Sequence, residues 1–390
     1  MKLLVTGGLG FIGSNFILRA LENPKLRITN IDACLPGSNL LNVKQVKNDS
    51  RYKYVKGNIT NKKLVDKLVS NVDAVINFAA ESHVDRSISD PKPLIDSNIY
   101  GTYVLLESIR KHKKKLVQIS TDEVFGSLRS SSATEKYPYN PSSPYSASKA
   151  AAENLVNSYF ATYDSDVIIT RCTNNYGPHQ SPEKLIPKVI LLAEKNKNIP
   201  IYGTGKNIRD WIFVLDHCEA ILRVLSKGKR GESYNISSGN EIDNLTIVKK
   251  ILNIMGKSED LILHTKDRPG HDFRYSMNSK KIFKEMKWKP TYDFDFTDEI
   301  PIELGSGKEY LAYDSNKDGK LDYSAGTVGA QVIDVYGIVS SLQHKHWGCK
   351  GPVIIDARKK PHHAPEMIKD LAIEKRVDRL FEQGGSLHGL

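Results

Sequence analysis

Residues 2–6 are apolar and β-prone, the next seven read Gly7-Gly8-Leu9-Gly10-Phe11-Ile12-Gly13, and a helix-forming stretch runs on through Leu21. A strand, a glycine turn and a helix in that order constrain the fold more than any other feature of the chain. They open a βαβ unit suited to a dinucleotide. Gly7 supplies the positive φ of the tight turn, Gly10 lets the backbone approach a pyrophosphate, and Gly13 allows helix and strand to touch. The start of the helix presents N–H groups to an anion. A glycine turn alone is a weak sign, since many loops have one. Here a second strand, Arg27–Ile31, ends in Asp32. An acid at that point accepts hydrogen bonds from both adenosine ribose hydroxyls and repels a 2′-phosphate, which selects NAD over NADP.

Further strands are predicted at Tyr52–Val55, Ala74–Phe78, Leu116–Ser120 and Val167–Arg171, with helices around Pro93–Lys111 and Ser146–Tyr159. This alternation predicts an α/β fold with a doubly wound parallel sheet. Ligands in such sheets sit beyond the carboxyl ends of the strands. The loops holding Asn58-Ile59 and Ala79-Ala80-Glu81-Ser82 should therefore face the cofactor. At 390 residues the chain has room for two domains or three.

No run of eighteen apolar residues exists, and the first residues read as a buried strand rather than a cleavable leader. The protein is expected in the cytoplasm, with no membrane partner. Cys34, Cys172, Cys218 and Cys349 are widely separated and form no C-x-x-C pair. That predicts reduced, individually buried thiols and no structural zinc. The last hundred residues hold 12 Lys/Arg against 16 Asp/Glu, so the formal net charge of +11 is carried by residues 1–290. Such a body attracts nucleotide phosphates. No aromatic-interleaved basic stripe accompanies the charge, and no nucleic-acid partner is expected.

Thr121-Asp122-Glu123 follows a strand, and Tyr145 and Lys149 lie one helical turn apart downstream. Elimination of water needs one group to take a proton and another to give one, which an adjacent Asp and Glu supply. An unperturbed phenol, with a pKa of about 10, is a poor base at neutral pH. A lysine four residues on, on the same helix face, favours the phenolate. Taken singly, T-D-E is a common helix start and Y-x-x-x-K is commonplace. Their order after a dinucleotide turn gives them weight.

Strings spread along the chain carry a resemblance: T-G-G-L-G-F-I-G, F-A-A-E-S-H-V-D-R-S, S-T-D-E-V-F-G, Y-S-A-S-K, R-C-T-N-N-Y-G-P, P-I-Y-G-T-G-K-N-I-R-D-W and D-R-P-G-H-D-F-R-Y. Together they resemble the extended short-chain dehydrogenase/reductase superfamily and, within it, the dTDP-glucose 4,6-dehydratase family. The resemblance runs from residue 1 to about residue 292. Epimerases and decarboxylases of the superfamily keep the Tyr/Lys pair but usually lack the Asp-Glu pair, and GDP-mannose dehydratases keep the Glu without the Asp.

The resemblance implies a Rossmann-type NAD-binding domain over residues 1–175, a smaller interleaved substrate-binding lobe over 176–292, and a homodimer built on the helices near 97–111 and 146–159. It implies a lyase that converts dTDP-glucose to the 4-keto-6-deoxy sugar, losing water through transient reduction of NAD. Tyr145, helped by Lys149, would take the 4-hydroxyl proton, and Thr121 would hold the 4-oxygen. Glu123 would take the C5 proton and a protonated Asp122 would donate to the departing 6-hydroxyl. Gly7, Gly10, Phe11, Ile12, Gly13, Asp32, Asn58, Ile59, Ala80, Tyr145, Lys149 and Asn175 would touch the cofactor. Ser82, Thr121, Asn174, Lys184, Leu185, Tyr202, Arg209, Asn244, Arg268 and His271 would touch the nucleotide sugar, with Arg209 and Arg268 suited to its diphosphate.

Two departures stand out. Asn58 occupies a position where the family usually has Asp, and it can both donate and accept. Ala33-Cys34-Leu35-Pro36-Gly37 replaces a loop that commonly carries Lys and an aromatic. Two other readings stay open: an NAD-dependent nucleotide-sugar epimerase or decarboxylase, and a fusion that binds NAD without turnover.

Residues 293–390 have no counterpart in the family, whose closing amphipathic helix is missing after Trp288-Lys289-Pro290. Asp314–Asp322 has the spacing of a calcium loop, but Ala325 stands where the bidentate Glu belongs. An Asp-Gly turn between two strands is expected there instead. His344 and His346, near Cys349, read as surface histidines, and no metal is expected.

Overall fold

Runs such as Leu3-Leu4-Val5, Ala74-Val75-Ile76 and Val167-Ile168-Ile169 present apolar side chains on both faces, the pattern of strands covered from two sides. The computed structural model describes residues 1–82, 84–292, 300–304 and 308–312. Its first six strands are β1 (Lys2–Thr6), β2 (Arg27–Asp32), β3 (Tyr52–Lys56), β4 (Ala74–Asn77), β5 (Lys115–Thr121) and β6 (Val167–Cys172). Then come β7 (Asn174–Tyr176), β8 (Ile199–Tyr202), β9 (Ile208–Phe213), β10 (Ser233–Ile236), β11 (Glu241–Asp243) and β12 (Ile262–Thr265).

One sheet runs β10-β6-β5-β4-β1-β2-β3, and all its pairings are parallel. The strand order reverses between β1 and β4, the point at which a doubly wound sheet opens a crevice. Helices Phe11–Leu21 and Val214–Lys227 cover one face, and Lys62–Val69, Gly101–His112 and Pro144–Tyr163 cover the other. Each fully buried Leu, Ile or Val in these layers contributes roughly 1.5–3 kcal/mol. Buried beside β6, Arg171 Nε and Nη2 donate to Glu153 Oε2 at 2.9 and 2.6 Å, and the guanidinium stacks on Phe125 at 5.0 Å.

The smaller lobe has two short sheets. β9 lies between β7, parallel to it, and β11, antiparallel; β8 and β12 pair in parallel. Tyr176, Ile190, Trp211, Phe213 and Ile251 belong to its core. Beyond it, β13 (Ile300–Leu304) and β14 (Lys308–Ala312) pair antiparallel with each other. The calcium-like spacing at Asp314–Asp322, and His344, His346 and Cys349, lie outside the described residues.

Three details differ from the sequence reading. The helix expected over residues 93–111 is in three pieces, Lys92–Leu94, a π turn over Ile95–Tyr100, and Gly101–His112. Asn98, within the π turn, accepts from Glu81 N at 2.9 Å and donates to Glu81 O at 3.0 Å, tying this helix to the loop after β4. A helix over Val84–Ser89 had not been foreseen. Cys34 is exposed, not buried like Cys172 and Cys218, because it sits in a left-handed turn (φ 56°) on a loop rim. Among the described residues no helix is long and apolar enough to cross a membrane.

Candidate active site

Six strand ends on the carboxyl side of the large sheet open into one cleft of about 330 Å³. Gly7, just after β1, has φ +67°, and a Cβ there would lie 2.7 Å from the Ala79 backbone nitrogen. No side chain fits. A Cβ on Gly13 would stand 2.4 Å from the Gly7 carbonyl oxygen, so only glycine lets the helix start this close to β1. Phe11, Ile12 and Gly10 complete this part of the lining.

Asp32, at the end of β2, is buried. Its Oδ2 accepts from Leu9 N at 3.0 Å, and its Oδ1 accepts from Cys34 N at 2.8 Å and Ser38 Oγ at 2.9 Å. Those bonds fold the loop whose Ala33, Leu35 and Pro36 border the cleft. Asn58 and Ile59 follow β3, Ala80 and Ser82 follow β4, and Asn174 and Asn175 follow β6; all line the same space. Asn58 Oδ1 accepts from Thr60 N at 2.9 Å.

Thr121 ends β5 and caps the short turn Asp122–Phe125. Its hydroxyl accepts from Glu123 N at 3.3 Å and donates to Asp122 Oδ1 at 3.0 Å. The cap fixes two carboxyls side by side. Asp122 Oδ2 is buried with no hydrogen-bond partner among the described residues. Burial, reinforced by the Glu123 charge, pushes Asp122 up to about 8, so this carboxyl keeps its proton at neutral pH. Burial also raises Glu123, while the charges of Arg268, Arg209 and Lys184 pull it back down.

A capping box positions the helical pair. Ser143 Oγ accepts from Ser146 N at 3.1 Å, Ser146 Oγ accepts from Ser143 N at 3.0 Å, and Pro144 takes the first helical position. Tyr145 therefore falls in the first turn and Lys149 one turn on, both buried and both lining the cleft. Lys149 Nζ donates to the Ile119 carbonyl at 2.6 Å, and burial brings it down to about 8. Tyr145 is pushed well above the usual phenol range, by burial first and then by the Glu123 charge. Here burial and the neighbouring carboxylates hold the proton on the phenol, against the pull toward the phenolate expected of the Lys149 charge. The lysine is committed to a backbone carbonyl, and burial and carboxylates dominate the phenol.

Ser82, Thr121, Asn174 and Lys184 share this cleft, whereas Leu185, Tyr202, Arg209, Asn244, Arg268 and His271 do not line it. Leu185 and Asn244 begin the helices Leu185–Glu194 and Asn244–Ile254. Arg209, on β9, is buried; its guanidinium donates to the carbonyls of Ile208 at 2.7 Å and Asp272 at 3.0 Å. Tyr202 donates to Asp85 Oδ2 at 3.3 Å, Arg268 lies 3.7 Å from Asp85, and the Tyr202 and His271 rings meet edge to face.

The sequence reading missed Cys172, Thr173, Ser181 and Glu183 in the lining, and Tyr275 and Asp272 near Glu123. It also missed His217, 2.8 Å from Asn175 Oδ1 through Nδ1. Burial lowers that imidazole to about 3, so it is neutral. Only the D-R-P-G-H-D-F-R-Y string had pointed toward Asp272 and Tyr275.

A site with a glycine turn, a Tyr/Lys pair and paired carboxyls at one sheet end has known counterparts. The family model for GDP-mannose 4,6 dehydratase matches residues 4–298. The chain belongs to this 4,6-dehydratase family. The dehydratase is 42% identical over 353 residues to a dTDP-glucose 4,6-dehydratase of Xanthomonas campestris pv. campestris strain B100, spanning 84% of this chain and 99% of the relative. Among solved structures it is similar to the dTDP-glucose 4,6-dehydratase of Streptomyces venezuelae, crystallised with NAD bound. That match has a TM-score of 0.74 and 41% identity, and covers 75% of this chain and 93% of the other. The Bacillus anthracis dTDP-glucose 4,6-dehydratase, in complex with NAD, matches with a TM-score of 0.71 and 45% identity over 76% and 93%. The dehydratase shares with them the parallel Rossmann-type sheet that the sequence predicted.

Proposed function

We propose that this dehydratase converts dTDP-glucose to dTDP-4-keto-6-deoxy-glucose with loss of water, using NAD held at the glycine turn. The observation that carries the reading is one cleft holding Asp122, whose buried Oδ2 has no partner among the described residues, beside Glu123 and the Tyr145/Lys149 pair. An epimerase needs only the last of these.

The residues present suit the cofactor. A Cβ on Gly10 would meet the Gly7 carbonyl oxygen at 3.3 Å and otherwise stand in the cleft, so its absence leaves room for a pyrophosphate against the helix start. Asp32 suits the adenosine ribose, and Asn58, Ile59, Ala80 and Asn175 the flanking surfaces. When bound, NAD supplies a hydride acceptor for C4, a hydride donor for C6 and a positive charge beside the phenol.

The chain's own groups then handle protons. Tyr145 would take the 4-hydroxyl proton as the phenolate, which the positive charge of bound NAD would favour against burial, with Lys149 behind it and Thr121 on the 4-oxygen. Glu123 takes the C5 proton, and the electrons of that C–H bond form the C5–C6 double bond. The C6–O bond breaks toward Asp122, whose proton leaves with the hydroxyl as water. Glu123 later returns a proton to C5.

The reading is tested by incubating purified protein with dTDP-glucose and following the sugar by mass spectrometry. Loss of one water without added reductant is expected. An isomeric product would mean an epimerase, and retained substrate beside bound NAD would mean a chain without turnover. We assign residues 1–175 to the cofactor domain, 176–292 to the interleaved substrate lobe and 293–390 to a C-terminal segment of unassigned role, although the family model runs on to residue 298. The packing of helix Val214–Lys227 against Phe11–Leu21 supports that interleaving. A cytoplasmic location and a homodimer are proposed, the dimer supported by the exposed Ile95 and Tyr100 on the helical side; a monomeric mass in solution would remove the dimer.

A further inference from the structure

Tyr275 lies on the loop after β12, and its buried ring stands beneath the Arg209 guanidinium, 4.2 Å from centroid to carbon. Its hydroxyl is 2.8 Å from Asp272 Oδ2 and 3.5 Å from Glu123 Oε2. Among the described residues it is the side chain within hydrogen-bonding reach of that Glu123 carboxylate. The Ser142 hydroxyl donates to the same Asp272 oxygen.

The phenol has one proton and faces two carboxyls. When it donates to Asp272, its lone pair faces Glu123, which is favourable only while Glu123 carries a proton. When it donates to Glu123, the ionised form is stabilised, and Asp272 still has Ser142. Each arrangement matches one protonation state of the proposed base.

We propose that Tyr275 is a positioning residue for Glu123, its hydroxyl turning between Asp272 and Glu123 as the base loses and gains the C5 proton. The inference rests on the dehydratase reading above. The other groups facing Glu123 are Asp122 from the sheet end, Tyr145 from the first turn of the helix Pro144–Tyr163, Lys184 before the helix Leu185–Glu194, Arg209 on β9, and Arg268 and Asp272 on the Tyr275 loop. The three cations bias Glu123 toward ionisation at longer range, whereas Tyr275 can serve both states by contact.

The test is kcat and kcat/KM for dTDP-glucose against pH in wild type, Tyr275→Phe and Ser142→Ala. Tyr275→Phe keeps the ring beneath Arg209 and removes only the hydroxyl. Its kcat is expected to fall about tenfold with KM within about twofold, the loss of one hydrogen bond to a charged group. The acid limb of kcat/KM should rise by about one pH unit, because ionised Glu123 loses its donor. Ser142→Ala, at an exposed position, leaves Asp272 dependent on the phenol and should move the limb the same way by less. Should Tyr275→Phe not fold, the Ser142→Ala limb decides. Unmoved acid limbs overturn the inference, as does a Tyr275→Phe loss confined to KM, which would make Tyr275 a support for Arg209. A wild type that leaves dTDP-glucose unchanged overturns the reaction reading instead.

Discussion

Asp122→Asn should spare the protein the stability that the wild type loses as pH rises, while removing its activity. The wild-type carboxyl is pushed up to about 8, whereas the unfolded chain releases that proton near 3.8. Between those values the folded state holds one proton more than the unfolded state. Stability therefore falls as pH rises through that window, by about 1.4 kcal/mol per pH unit, and levels off above it. From pH 5.5 to 7.5 the wild type should lose about 2.6 kcal/mol that the amide variant does not. For a folded region of this size, 1 kcal/mol corresponds to about 2 °C in Tm. The Tm advantage of Asp122→Asn should thus grow by about 5 °C between those two pH values. Glu123 titrates in both proteins, and the pH-independent cost of burying an amide cancels from the difference. Differential scanning fluorimetry at several pH values, on samples matched for NAD content, reads it directly. A Tm gap that stays constant from pH 5.5 to 7.5 would refute the claim that Asp122 holds a proton in the folded state. Dehydration should fall by about 100-fold or more in the variant, because an amide has no proton to give the leaving hydroxyl.

Other outcomes separate the remaining groups. Glu123→Gln should stop elimination yet still let substrate reduce bound NAD, seen as absorbance near the reduced nicotinamide band, whereas Tyr145→Phe should suppress both; normal dehydration by Glu123→Gln would sink the base assignment. Gly13→Ala should cost the protein its bound NAD, since a Cβ would lie 2.4 Å from the Gly7 carbonyl oxygen, and cofactor retained after gel filtration would contradict that. Glu153→Ala should destabilise the fold by about 3–5 kcal/mol, because it leaves Arg171 buried and unpaired, and a urea midpoint near wild type would refute it.

The sequence carried most of the sheet because its signals there are local. The apolar run before Gly7 and the acid after Arg27–Ile31 are read from a few consecutive residues, and β1 and β2 begin where expected. The cleft at their carboxyl ends follows from the parallel topology rather than from any one motif. Tyr145 and Lys149 were also legible, through helical spacing and their order after the dinucleotide turn. The π turn over Ile95–Tyr100 was not, because a change of helical register leaves no mark on composition. Nor was Tyr275 beside Glu123: 152 residues separate them, and only the docking of one loop on another brings them together. The Cys34 exposure was missed because a left-handed turn at a non-glycine residue has no strong sequence signal.

Neither residue type nor burial explains why two adjacent carboxyls should divide their roles. Asp122 and Glu123 leave the same strand end, share one cap and are both raised by burial. What separates them is the set of charges each faces. Asp122 is raised first by burial and then by Glu123, its strongest charged neighbour, and its Oδ2 has no partner among the described residues, so protonation is its low-energy state. Glu123 faces Arg268, Arg209 and Lys184, all contributed by chain beyond residue 175. The acid is thus set by the Rossmann sheet and the base by the smaller lobe. A change on the smaller lobe that removed those cations would push Glu123 further up and weaken it as a base, without touching either catalytic side chain.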